Sequence, residues 1–159
     1  MGSGDSAVTI RAALPDEMES VRVLFREYQD GLGVDLCFQS FEEELASLPG
    51  KYASPTGALL LGFHNDKLAG CVALRLHEPG VCEMKRLYVR PGFRGLGLGR
   101  KLVEAILEAG RIRGFRCMVL DTLDRLVPAR MIYEELGFRQ IPSYNGNSLE
   151  GVLFYERAL

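Results

Sequence analysis

Apolar and polar residues alternate from Val8 to Ala12, the period of two expected of a half-buried strand. Met18, Val21, Leu24, Phe25, Tyr28 and Leu32 then recur at helical spacing and predict an amphipathic helix, with Asp16 and Glu19 spaced for a capping box at its start. The glycines of GLGVDLCFQS (31–40) read as a loop, and FEEELASL (41–48) as a short second helix that PGKYASPTG ends. Three strands follow in quick succession: Ala58 to His64, Leu68 to His77 and Val81 to Val89. HNDK and HEPGV read as hairpin connections, so these strands should run antiparallel.

A helix is predicted from about Gly97 to Arg113, with Leu98, Leu102, Ala105, Ile106 and Ala109 on one face and Gly114 as its stop. FRCMVLD (115–121) reads as a short buried strand and Val127 to Leu136 as a helix ending at Gly137. FRQI (138–141) and VLFYERAL (152–159) close the chain as two more strands. This order predicts an α/β (α+β) fold, a mixed and mostly antiparallel central sheet with about four helices on its two faces. Within CEMKRLYVR the apolar positions fall at Met84, then at Leu87 and Val89, so the alternation changes phase between Lys85 and Leu87. A β-bulge produces such a slip, and so does a central strand buried on both faces.

Composition narrows the picture. A chain of 159 residues, 47% of them hydrophobic, can bury one core without disulfides or metal. Residues 7–159 read as a single domain, while the small, polar MGSGDS at 1–6 reads as a disordered terminus or an expression scar. A net charge of −2 and a pI near 5.8 give no overall basic surface for nucleic acid or anionic lipid. Any bound anion must be met locally. GALLLGF (57–63) and similar runs are too short to cross a bilayer, and Met1 to Asp5 lacks the marks of a signal peptide, which points to a cytoplasmic protein with no membrane partner. Cys37, Cys71, Cys82 and Cys117 are widely spaced, without a CxxC pair or a histidine at ligand spacing, and read as reduced thiols rather than a metal site. His64 and His77, at strand ends, read as structural or exposed.

The candidate chemistry lies in RPGFRGLGLGRKL (90–102), where arginines and closely spaced glycines lead into a helix. A glycine-rich turn at a helix N-terminus offers unpaired backbone N–H groups and about half a positive charge, and arginines add full charges beside it. The pattern is not a P-loop, since Leu98 and Gly99 stand where lysine and serine or threonine are required. Nor is it the dinucleotide fingerprint, which needs a glycine where Leu102 stands; Asp121, about 20 residues on, supports that reading only weakly.

Arg94, Gly97 and Gly99 fit R/QxxGxG/A, and Ala129, Tyr133, Gly137 and Phe138 in ARMIYEELGF fit AxxxYxxxGF. In these two motifs, and in its order of elements over residues 7–159, the chain resembles the GCN5-related N-acetyltransferase (GNAT) family. The resemblance implies acetyl-CoA as cofactor, a small-molecule or peptide amine as acceptor, and a sheet splayed at the cofactor site. It implies that Arg94, Gly95, Leu96, Gly97, Leu98, Gly99 and Arg100 wrap the pyrophosphate, and that backbone groups of Leu87, Tyr88 and Val89 pair with the pantetheine arm. Tyr133 resembles the tyrosine that protonates the departing sulfur. Glu83, just before the expected splay, is the candidate base, acting directly or through a water; its alternative is a surface carboxylate paired with Lys85 or Arg86. The resemblance directs Tyr28, Asp35, Phe38, Tyr144 and Asn145 to the acceptor.

One position departs from the family. Leu126 stands where many relatives carry an asparagine that helps to hold the pantetheine arm, which leaves a second reading open, a non-catalytic acyl-CoA-binding module. A nucleotide-dependent oxidoreductase is a third. The family also leaves a homodimer open, with apolar residues of the last strand serving either an interface or the core.

Overall fold

Among the described residues the two sequence periods resolve into one sheet and four α-helices. The computed structural model describes residues 7–33 and 40–159. The strands are β1 (Val8–Ala12), β2 (Ala58–His64), β3 (Lys67–Glu78), β4 (Val81–Val89), β5 (Cys117–Leu123), β6 (Arg139–Ile141) and β7 (Val152–Ala158). They lie in the order β1-β2-β3-β4-β5-β7-β6, and every pairing is antiparallel except that of β4 with β5. The helices are α1 (Met18–Leu32), α2 (Phe41–Ser47), α3 (Leu98–Ile112) and α4 (Val127–Glu135). Among the described residues no helix is long and apolar enough to cross a membrane.

Strand alternation sorts the core into two layers. Val72 and Leu74 of β3 pack with Leu98, Leu102, Val103 and Ile106 of α3, while Cys71 and Ala73 pack with Val21, Leu24 and Phe25 of α1 and Phe41 and Leu45 of α2. In the last strand Phe154 and Tyr155 are buried, so its apolar residues serve the core.

Two departures from the sequence expectation exceed a one-residue shift at an element's end. β5 starts at Cys117 rather than Phe115, because the chain is still turning out of α3: the Phe115 N–H bonds to Gly110 O and the Arg116 N–H to Gly80 O. It runs on to Leu123 because β7 pairs with it that far, Leu123 opposite Val152. The entrance to α1 is also different. A single 3-10 turn, Pro15–Glu17, leads into the helix, and the Glu17 carboxylate, rather than an Asp16 and Glu19 box, accepts the Leu14 N–H at 2.8 Å and the Arg11 guanidinium at 2.7 Å.

At Gly70 the backbones of β3 and β4 leave no room for a side chain. A Cβ there would lie 2.4 Å from the backbone oxygen of Tyr88 and 3.3 Å from Val89 Cα. Gly70→Ala must push two backbones apart and is expected to lose about 1–3 kcal/mol in urea unfolding. An unchanged midpoint would mean that the strands separate there at no cost.

Candidate active site

The site begins with a register fault. Ala73 pairs with Lys85 and Cys71 with Tyr88, so Val72 alone faces both Arg86 and Leu87, and Arg86 takes a left-handed φ of 60°. This is the bulge that the phase slip allowed for. It keeps Met84, Leu87 and Val89 on the α3 side of the sheet while Tyr88 joins the α1 side. Just before it, β4 and β5 pair only over Val81–Glu83 with Cys117–Val119. Beyond that point β4 stays with β3 and β5 with β7, so their facing edges part and leave backbone donors and acceptors without a strand partner. The opening is lined by Lys85, Leu87, Asp121, Leu126, Ala129 and Tyr133, among others.

Above this opening the chain turns through Pro91–Phe93 into the glycine loop. Gly95 and Gly97 have φ of 83° and 78°, a region that costs any residue with a Cβ, and each has open space around it. Gly97 caps α3, and the first bond of that end runs from the Lys101 N–H to Gly97 O, so the amides ahead of it point out of the helix. Gly99 has a different reason to be glycine: a Cβ there would meet Ile132 Cδ1 of α4 at 3.3 Å. The arginines divide. Arg90 is bound by Glu27 at 3.0 Å and Arg100 by Glu135 at 3.0 Å, whereas Arg94 donates from Nε to Val89 O at 2.9 Å and, among the described residues, has no carboxylate partner.

Tyr133 projects from α4 into the same opening. It is 4% exposed and packs edge-on against Phe138, centroids 5.7 Å apart, with Tyr155 at 6.0 Å. Burial, and after it the charges of Tyr28, Asp121 and Tyr155, push its pKa well above that of a free phenol. It therefore remains a neutral O–H donor.

On the α1 face the bulge gathers a charged row. Glu83 is 1% exposed, so it is not a surface carboxylate; Arg75 of β3, not Lys85 or Arg86, donates to its Oε1 at 2.8 Å, and the Tyr144 hydroxyl donates to its Oε2 at 2.5 Å. Lys85, also buried, lies 4.0 Å from Asp121. Burial lowers the Lys85 pKa against the pull of Asp121. Burial would raise that of Asp121, but Lys85 and the amides of Asn145 and Asn147, donating at 2.9 and 3.2 Å, bring it below the usual value. The loop after β6 is thus tied to β4 and β5 at two points. Tyr28 stands edge-on to Tyr88, centroids 6.4 Å apart, with the Arg86 guanidinium 5.7 Å from its ring.

Residues 19–138 match the acetyltransferase (GNAT) family. The chain belongs to that family. An uncharacterized N-acetyltransferase of Schizosaccharomyces pombe is 41% identical over 152 residues, 94% of this chain and 93% of its own. A GNAT-family acetyltransferase from Staphylococcus aureus has the same fold, with a TM-score of 0.79 at 20% identity over 96% of this chain and 99% of that one. So does a putative acetyltransferase from Salmonella typhimurium, solved with its cofactor acetyl-CoA, with a TM-score of 0.66 at 21% identity over 96% and 94% of the two chains.

In this GNAT chain the sequence-derived residues fall at one place with a few exceptions. Leu87 and Tyr133 line the opening, the chain from Tyr88 to Arg100 runs on from Leu87 through the glycine loop into α3, and Glu83, Tyr28, Tyr144 and Asn145 lie on the α1 side. Asp35 and Phe38, with Cys37, lie outside the described residues. Leu126 lines the opening where the asparagine would stand. His77 packs edge-on against Tyr144 at 5.1 Å. Arg75, Lys85 and Asn147 were not predicted, and Asp121 was predicted only as a weak nucleotide ligand. Glu83 and Lys85, two apart on one strand, carry the signal that would have found them, once the bulge fixes which face they share.

Proposed function

We propose that this chain moves an acetyl group from acetyl-CoA to a primary amine of a small molecule or peptide, by direct attack in a ternary complex. The observation that carries the reading is the parting of β4 from β5 beneath the glycine loop, with Tyr133 bordering the gap and Glu83 at its start. The unpaired edge of β4 suits an extended chain bearing amides, and the open space around Gly95 and Gly97 suits the approach of a pyrophosphate.

Acetyl-CoA supplies the acetyl group as an activated thioester. Arg94, Arg100 and the amides from Gly95 to Gly99 hold the pyrophosphate, for which Arg94 has its terminal nitrogens available. Backbone groups of Leu87, Tyr88 and Val89 hold the arm, and N–H groups at Leu87 and Tyr88 polarise the reacting carbonyl, an effect worth about 3–4 kcal/mol. An alkylamine of pKa about 10.4 costs roughly 4–5 kcal/mol to deprotonate at pH 7, so a base is useful. Glu83 takes that proton, directly or through a water, once its Oε2 exchanges the Tyr144 hydroxyl for the acceptor. Tyr133 donates to the departing sulfur.

The test is thermal unfolding with CoA, acetyl-CoA and NADH in parallel, followed by thiol release with a panel of amines. A ligand at about 100 times its dissociation constant adds roughly 2.7 kcal/mol, so both CoA species are expected to raise Tm and NADH is not. No shift with either CoA species sinks the proposal; a shift with no release to any amine leaves an acyl-CoA-binding module.

A further inference from the structure

On the α1 face, on the far side of Glu83 from the opening, Glu44, Ser47, Lys51, Tyr52 and Arg75 line a pocket of about 250 Å³. That is below the range of about 300–1,000 Å³ usual for drug-sized ligands and suits a small group. Tyr52 is 3% exposed, and its buried hydroxyl has no hydrogen-bond partner among the described residues. Buried hydroxyls are nearly always paired, so an orphan calls for a missing partner. Burial holds this phenol well above its ordinary pKa, which keeps it a donor; the Arg86 and Arg75 charges pull the other way, and Glu44, a nearby acceptor engaged with Arg86, pushes it further up.

The other polar groups identify that partner. Both oxygens of Glu44 are taken by Arg86, at 3.0 and 2.9 Å, and both oxygens of Glu83 by Arg75 and Tyr144. Arg75 spends only Nε on Glu83 and, among the described residues, its two terminal nitrogens are unspent. The buried part of the pocket wall therefore presents donors, the Tyr52 O–H and the forked end of Arg75, while the exposed Lys51 and Glu43 add opposite charges that offset one another. A planar carboxylate is the group that a guanidinium fork and one hydroxyl satisfy together.

We propose that this pocket receives a carboxylate of the acceptor, so that the amine acetylated is an amino acid rather than a simple amine or a polyamine; this rests on the acetyl-transfer reading above. Arg75 would then be a specificity residue with two duties, steadying Glu83 through Nε and binding the carboxylate through its other nitrogens. Because one guanidinium spans both, the amine and the carboxylate must be only a few bonds apart.

The experiment pairs the common α-amino acids, β-alanine and γ-aminobutyrate each with its carboxamide. Thiol release from acetyl-CoA measures transfer, and calorimetry in the presence of CoA measures binding. At least one acid is expected to exceed its carboxamide tenfold in kcat/KM and in affinity. Tyr52→Phe is expected to cut that ratio at least threefold without lowering Tm, since it deletes only an unpaired hydroxyl, and Arg75→Gln to cut it further. Equal transfer to acids and carboxamides upholds the transferase and overturns the carboxylate pocket. Preferential binding of an acid without transfer to anything upholds the pocket and overturns the transferase. Neither binding nor transfer overturns the pocket, as does a ratio that Tyr52→Phe leaves unchanged.

Discussion

Tyr133→Phe is expected to lower kcat by a hundredfold or more while changing acetyl-CoA affinity less than twofold. A positioned proton donor typically contributes about 10²- to 10⁴-fold, which sets the scale. The substitution keeps the ring and therefore its edge contacts with Phe138 and Tyr155, so α4 should stay seated and Tm should hold. Among the described residues the hydroxyl has no hydrogen-bond partner, so its removal orphans nothing. Burial keeps the phenol protonated throughout the neutral range, so any fall in activity at high pH is expected not to be set by Tyr133. The decisive comparison is stopped-flow turnover against calorimetric affinity for both proteins. Unchanged turnover would remove Tyr133 from the chemistry and leave it a packing residue that happens to border the gap.

Much of this arrangement was written locally. The hairpins that join β2, β3 and β4 made the ends of β2 and β4 legible to the residue, since period-two alternation stops where the turn begins. The bulge was legible as a change of phase from Met84 to Leu87, although sequence alone could not separate it from burial on both faces. What separates them is the packing: Met84, Leu87 and Val89 share the α3 side across the slip. The glycine loop was legible because left-handed φ at Gly95 and Gly97 and a helix end leave few other residues possible. Gly99 carries a second reason that sequence did not show, the close pass of the Ile132 side chain at 3.3 Å from where a Cβ would stand.

The acceptor side was the least legible part. Lys85 meets Asp121 because β4 and β5 lie next to each other, and a parallel pair joined through a whole helix leaves no short-range trace of its register. Arg75 reads in sequence as one more charge near a hairpin; only the pairing of β3 with β4 puts it opposite Glu83. The expected Asp16 and Glu19 box failed for a related reason. Spacing alone cannot tell that the chain enters α1 through a 3-10 turn, which places Glu17 at the free Leu14 amide instead.

The second large effect is expected at the bulge itself. The Arg86 guanidinium is 3% exposed and the Glu44 side chain 15%, with two hydrogen bonds between them and the rings of Phe41 and Tyr28 at 5.3 and 5.7 Å from the cation. Removing one member of such a pair leaves the other's charge poorly compensated in a low-dielectric interior, at a cost of about 3–5 kcal/mol. Glu44→Ala should therefore lose about that much in urea unfolding, against roughly 0–1 kcal/mol for an exposed pair such as Arg26 with Glu42. The pair also pins a residue held at φ 60°, which a non-glycine side chain tolerates only under constraint. Once that anchor goes, β4 can relax toward an unbulged register, and Leu87 to Val89 would no longer present their edge to the gap. Glu44→Ala is accordingly expected to weaken CoA binding as well as folding, even though Glu44 does not line the opening between β4 and β5. The double change Glu44→Leu with Arg86→Met discriminates the causes. It should recover most of the stability, because an apolar pair needs no compensation, but little of the CoA affinity, because nothing then holds the left-handed turn. Full recovery of both would mean that the bulge is fixed by the strand pairing alone and that the buried pair contributes only charge balance.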